Sequence, residues 1–158
     1  ISDEFTNPRK RRMMVEKRAR KMDTVLDAID SPELVGPNDA AATLVGFGST
    51  WGVVLEAIEK LASENNIIVN QLHVKWIVPF HADAISSILA ESQKIIIVEN
   101  NYSGQFARYL RSETGIKGDA YIRKYDGEPF MPHHIVDGVK ALLEGETDLY
   151  VPTHEMMV

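Results

Sequence analysis

Three short segments hold the residues with chemistry to offer. The first is Gly46-Phe47-Gly48-Ser49-Thr50-Trp51-Gly52, which follows an apolar run and precedes a helical pattern. Backbone N–H groups and a helix N-terminus at Gly48, Ser49 and Thr50 suit an anion, a cofactor phosphate or a subunit contact. As a dinucleotide fingerprint the segment departs twice. Its third glycine comes one place late, and the next strand closes on Lys75-Trp76-Ile77-Val78 without an acid for a ribose. It also lacks the lysine of a P-loop, and no glycines stand two residues either side of Ser49 as a nucleophile elbow requires. A tight turn with a hydroxyl cap is the leading reading, and anion or cofactor contact stands behind it.

The second segment is Glu99-Asn100-Asn101-Tyr102-Ser103-Gly104-Gln105. A carboxylate ending a buried strand can act as an acid or base. It can equally cap the following helix or pair with another subunit. No histidine or second acid lies at a useful spacing, so no catalytic residue is assigned. The third segment, Tyr125-Asp126-Gly127-Glu128-Pro129-Phe130, is a turn before a helix. Gly127, Pro129 and Phe130 join Glu99, Asn100, Gly104 and Gln105 as expected contacts to an anion, a cofactor or a neighbouring subunit.

Metal and thiol chemistry find little support. There is no cysteine, which excludes disulfides, a thiolate nucleophile and any cluster held by this chain's own thiolates. The five histidines are scattered; His133 and His134 are adjacent and are not expected to share a helix face, and no H-x-x-x-H pair exists. No metal site is expected.

At 158 residues and 44% hydrophobic content the chain can bury one full domain core. Its charge is divided. Residues 1–21 hold eight basic and three acidic side chains, a net of +5, which leaves −11 on the rest of a chain whose total is −6. The basic arm has no interleaved aromatic residues from Arg9 to Lys21 and adjoins an acidic body, which argues against nucleic acid and for contact within or between subunits. The apolar runs are too short to span a bilayer, and no signal peptide is visible. A cytoplasmic setting and no membrane association are expected. The start at Ile1 suggests a piece of a longer protein.

The elements that must position these segments follow from periodicity. Asn7-Pro8 reads as an N-cap with proline in the first turn. Val15, Ala19, Met22, Leu26 and Ile29 then form one helical stripe, ended at Asp30-Ser31-Pro32. From Thr43 onward strand and helix alternate. Strands are expected at Thr43–Phe47, within Ile67–Val78, at Lys94–Glu99 and at Asp119–Tyr125, the last nearer an edge. The helices between them carry Trp51, Val54, Ile58 and Leu61, then Ile85, Ile88 and Leu89, then Phe106, Tyr109 and Leu110. A final helix carries Ile135, Val136, Val139, Leu142 and Leu143. This alternation specifies a three-layer α/β/α domain whose four parallel strands are joined by right-handed crossovers. Ligands and partners of such sheets meet the carboxyl ends of the strands, where all three segments lie. The expected divisions are a basic helix and linker over 1–32, the α/β domain over 33–145, and a tail over 146–158 without period.

With these residues in view the chain resembles the C-terminal part of the alpha subunit of 2-oxoacid:ferredoxin oxidoreductases. The carriers are Val45-Gly46-Phe47-Gly48-Ser49-Thr50-Trp51-Gly52, Pro79 with Phe80, Val98-Glu99-Asn100, Gly104-Gln105 leading to Leu110-Arg111, and Gly127-Glu128-Pro129-Phe130. The resemblance implies a fold like the C-terminal domain of transketolase, with one antiparallel edge strand added at Glu33-Leu34-Val35. It also implies a whole enzyme that oxidatively decarboxylates a 2-oxoacid, with thiamine diphosphate, Mg, iron–sulfur clusters and CoA. None of these cofactors is expected on this chain alone. The implied partners are a beta subunit and, through the complex, ferredoxin, in an oligomer. The chain itself would serve assembly and flank the active site, inactive by itself. Two rivals remain: the equivalent domain of another thiamine-dependent enzyme, and a CoA- or nucleotide-binding module using the Gly48 turn.

Overall fold

The computed structural model describes residues 5–145 and 147–153. Backbone contacts divide them into two units, each described separately. The smaller takes in residues 76–81 and a 21-residue helix, α1 (Pro8–Ala28). Its cap is the expected one. The Asn7 side chain accepts the Lys10 N–H at 3.2 Å, with Pro8 in the first turn. No residue of α1 is buried, and Val15 on the apolar stripe is 52% exposed. The stripe therefore marks the helix by period but gains little from burial, Leu26 and Ile29 being half-buried at most.

The larger unit is a six-stranded sheet with four helices. Its elements are β1 (Leu34–Val35), β2 (Thr43–Phe47), α2 (Thr50–Asn65), β3 (Asn70–Val74), α3 (Ala82–Ala90), β4 (Ile95–Glu99), α4 (Gln105–Thr114), β5 (Ala120–Arg123), α5 (Pro132–Glu144) and β6 (Leu149–Tyr150). The spatial order is β1-β3-β2-β4-β5-β6, parallel throughout except for β1, which runs antiparallel to β3. The edge strand at Leu34-Val35 is thus where the resemblance put it.

Two expectations are corrected. The sheet has six strands, because Leu149-Tyr150, in the segment read as unpatterned, pairs with Tyr121 and Ile122. β5 is consequently an inner strand. It lies next to the edge strand β6, and its alternating burial leaves Tyr121 and Arg123 half-buried, Arg123 beside the open cleft described below. Two residues are too short for a period of two to declare itself, so only the pairing reveals β6.

Strand alternation sorts the core into two faces. Leu44, Ile96, Val98, Ala120 and Ile122 pack with Val54, Ala57 and Leu61 of α2 and Ile135, Val139 and Leu142 of α5. Each Val, Leu or Ile among them stabilises the fold by about 1.5–3 kcal/mol relative to exposure. Val45, Ile97 and Tyr121 are register partners on the opposite face, the one on which Phe106 of α4 packs against Phe47. Phe47, Glu99 and Arg123 stand two residues further along the same strands and so share that second face. This parity delivers the polar residues to one end of the sheet. Trp51 departs from the expected inward stripe: it is 49% exposed, and Thr50, Val54, Ala57 and Leu61 are the buried residues of α2.

Candidate functional site at the carboxyl edge

The strand order reverses about β2, whose neighbours are β3 and β4. The carboxyl ends of β2 and β4 therefore flank the switch point where open α/β sheets bind ligands. Here that crevice is filled. Phe47, at the end of β2, stacks on Phe106 of α4 with ring centroids 4.7 Å apart and planes at 28°.

Beside the stack, Glu99 is fully buried. Its Oε2 accepts the Phe106 backbone N–H at 2.8 Å and the Asn101 Nδ2–H at 2.7 Å. Asn101 Oδ1 in turn accepts the N–H groups of Gly104 and Gln105, at 2.7 and 3.0 Å. Glu99 and Asn101 together occupy donors at the start of α4, a negative charge at the positive end of a helix. Of the readings open for Glu99, the geometry shows the helix cap. The other carboxylate oxygen, Oε1, lies 4.0 Å from Arg123 Nε. That is within ion-pair range but too long for a hydrogen bond, and both atoms are buried without a hydrogen-bond partner.

Arg123 is held from three sides. Its guanidinium sits over the Tyr121 ring at 4.9 Å, its Nη1 reaches the Tyr102 carbonyl at 3.5 Å, and it passes directly over Gly104. A Cβ on Gly104 would stand 2.4 Å from Arg123 Nη2, and the residue has φ +69°. Glycine is favoured there by its φ, and a side chain would also displace the Arg123 guanidinium. Tyr102 meets Tyr125 edge-on at 5.1 Å, which joins the turn after β4 to the turn after β5.

The turn after β2 is built differently. Gly48 has φ +60° and nothing within 4 Å of a Cβ position. The expected hydroxyl cap is not on Ser49, whose side chain makes no capping bond to α2. The Thr50 hydroxyl donates back to the Phe47 carbonyl at 3.0 Å, and Thr50 is buried. The hydroxyl thus ties the turn to its strand and caps no N–H group.

In the third turn Gly127 and Pro129 are exposed, while Phe130 is buried in the core beneath α5. Phe130 is a packing residue, not a surface contact. The Lys124 ammonium binds both carboxylate oxygens of Asp126, and this bond holds the Asp126 carboxyl down at about 2. Asp126 also accepts the Glu128 N–H. Of the other residues singled out from sequence, Asn100 and Gln105 are exposed at the edge. His133 and His134 do touch, with centroids 4.2 Å apart, and His134 Nδ1 accepts the Met131 N–H at the start of α5. Adjacent side chains can meet there because the first helical turn is not yet closed. Burial, aided by the Lys75 charge, pushes the His73 pKa down.

The sequence placed Asn101, Tyr102 and Tyr125 in the segments at the edge but gave them no role, and it did not single out Arg108 or Arg123. Arg123 had one legible signal, its place two residues beyond Tyr121 on a strand after the Glu99 strand. Asn101 three residues before Gly104 had another, the spacing at which a capping side chain accepts a backbone N–H. Donor sets for resident groups are scarce. The chain has no cysteine for an iron–sulfur cluster, and among the described residues no three His, Cys, Asp or Glu gather as metal ligands. No described helix is long and apolar enough to cross a membrane.

The residues from β1 to the Phe130 turn, 34–130, match the family model described as Transketolase, C-terminal domain. The chain is 34% identical over 94% of its length to 2-oxoacid:ferredoxin oxidoreductase 2, subunit alpha, of Aeropyrum pernix, and covers 23% of that protein. It is 32% identical over 85% of its length to the 2-oxoacid:ferredoxin oxidoreductase subunit alpha of Saccharolobus solfataricus, covering 22% of it. Among solved structures it is similar to the 2-oxoglutarate:ferredoxin oxidoreductase of Magnetococcus marinus with 2-oxoglutarate, coenzyme A and succinyl-CoA bound. That likeness has a TM-score of 0.76 at 31% identity, over 87% of this chain and 24% of the other. The chain thus spans under a quarter of the length of these relatives.

Proposed function

Since the chain belongs to the transketolase C-terminal domain family, we propose that it serves as that domain in the alpha subunit of a 2-oxoacid:ferredoxin oxidoreductase. It acts there in subunit assembly and flanks the active site. The observation that carries this reading is the extent of the likeness. Almost the whole chain aligns with alpha subunits, while it makes up only about a quarter of each.

The carboxyl edge supports the reading. Trp51, Tyr102 and Tyr125 stand on the three turns and are 49%, 72% and 50% exposed. Exposed aromatic residues gathered on one edge suit a protein interface. The polar groups behind them are committed to structure: Glu99 caps α4, Asp126 binds Lys124, and the Thr50 hydroxyl binds Phe47. The edge therefore presents a fixed surface with no nucleophile and base in contact. Oxidative decarboxylation of a 2-oxoacid to an acyl-CoA would be supplied elsewhere in the complex. Thiamine diphosphate, Mg and iron–sulfur clusters would be held by other parts of the alpha subunit and by a beta subunit, with ferredoxin taking the electrons. The assembly is an oligomer of the cytoplasm on this reading.

The test has two arms. The purified chain, given a 2-oxoacid, CoA, thiamine diphosphate, Mg and methyl viologen, is expected to reduce no dye above the blank. In a chimera, the chain replaces the matching quarter of the Aeropyrum pernix alpha subunit, and the complex is expected to assemble and turn over. Turnover by the chain alone, or a chimera whose subunits do not associate, would sink the proposal.

A further inference from the structure

A cleft of about 240 Å³ opens between the start of α4 and the ends of β5 and β6. Two of its walls are cationic, Arg108 and Arg123, and two are aromatic, Tyr102 and Tyr125. Ser103 adds a hydroxyl, and Leu149 with its neighbour Val151 closes the apolar side. We propose that this cleft binds a small oxyanion, a carboxylate or phosphate, carried on a flat apolar body. The proposal goes beyond the assembly role and does not rest on it: it gives Tyr102 and Tyr125 to the ligand and leaves Trp51 and the rest of the edge to a subunit.

The charge at the cleft is only partly balanced from within: Glu99 pairs with Arg123, and Arg108 has no acidic partner among the described residues. Residues 22–158 carry a net −11, yet no carboxylate among the described residues lines this cleft. Glu99 approaches Arg123 only to 4.0 Å and spends its other oxygen on α4. The buried Arg123 Nε–H has no hydrogen-bond partner among the described residues. Arg108 makes no ion pair among them either. Two guanidiniums on one cleft repel each other until an anion lies between them, and each presents a donor fork matched to carboxylate or phosphate oxygens.

Arg123 is also pre-positioned. Glu99, the Tyr121 ring and the space above Gly104 fix it, so little side-chain entropy is lost when it binds. The edge-on pair Tyr102–Tyr125 offers apolar area beside the charges. That combination favours an anion joined to a ring over a bare ion.

The test uses the full 158-residue chain and four probes by calorimetry at low salt: phenyl phosphate, benzoate, inorganic phosphate and acetate. Phenyl phosphate or benzoate is expected to bind with a Kd of about 1 mM or tighter, and the bare ions several-fold more weakly. Whichever of the two ring-bearing probes wins identifies the oxyanion. Arg108 is exposed, so Arg108→Ala keeps the fold, checked by circular dichroism, and should weaken binding about tenfold. Tyr102→Ala should reduce the preference for ring-bearing probes while leaving the bare ions unchanged. The proposal is overturned if no probe saturates by about 20 mM. It is equally overturned if Arg108→Ala binds as the parent does.

Discussion

The turn after β2 and the turn after β4 stand side by side at the switch point, and they differ in where their constraint lies. The first looks more like a binding motif, with three glycines, two hydroxyls and a helix behind it. Its polar side chains do little for that helix: Ser49 makes no cap and Thr50 bonds backward. The second lacks any named motif. Yet Glu99 and Asn101 occupy three backbone N–H groups, and Arg123 is threaded through the space Gly104 leaves. A glycine-rich appearance reports conformational freedom; satisfied buried polar groups report where the structure is specified.

The sharpest way to break this comparison is Glu99→Ala. It strands the buried Phe106 N–H and leaves Arg123 without its acidic neighbour, for an expected loss of about 3 kcal/mol in urea unfolding. A loss below about 1 kcal/mol would show that the cap is dispensable. Next come the two left-handed glycines, a matched pair. Gly104→Ala adds a collision with Arg123 to the backbone strain and should cost about 2–3 kcal/mol. Gly48→Ala meets open space and should cost only about 1 kcal/mol, so equal losses would erase the distinction. The smallest effect is expected of Ser49→Ala, within about 0.5 kcal/mol by the same unfolding assay. A larger loss would restore the capping role first read from the sequence.

Much of the fold was legible. The near-continuous apolar runs at Thr43–Phe47 and Lys94–Glu99 could only be strands covered on both faces, and both are. Asn7-Pro8 marked a helix start correctly, because capping is a local property of one or two residues. β6 was not legible, since two residues carry no period. The inward reading of Trp51 failed because a stripe 100° wide does not say which of its edges the sheet reaches.

The site divides the same way. That chemistry-bearing residues collect at the carboxyl edge follows from strand–helix alternation alone, and the absence of cysteine excluded a cluster held by this chain's own thiolates. The sequence by itself thus determined the layers, the edge that matters and some of the chemistry to be sought elsewhere. Only the tertiary structure decided that Glu99 is a cap and that Phe47 and Phe106 fill the switch-point crevice. It also brought Arg108, Arg123, Tyr102 and Tyr125 together around one cleft. Period and capping act over a few neighbouring residues and can be read in one dimension. The contacts of Glu99 with Arg123 and of Phe47 with Phe106 join residues 24 and 59 positions apart, set by strand order and register.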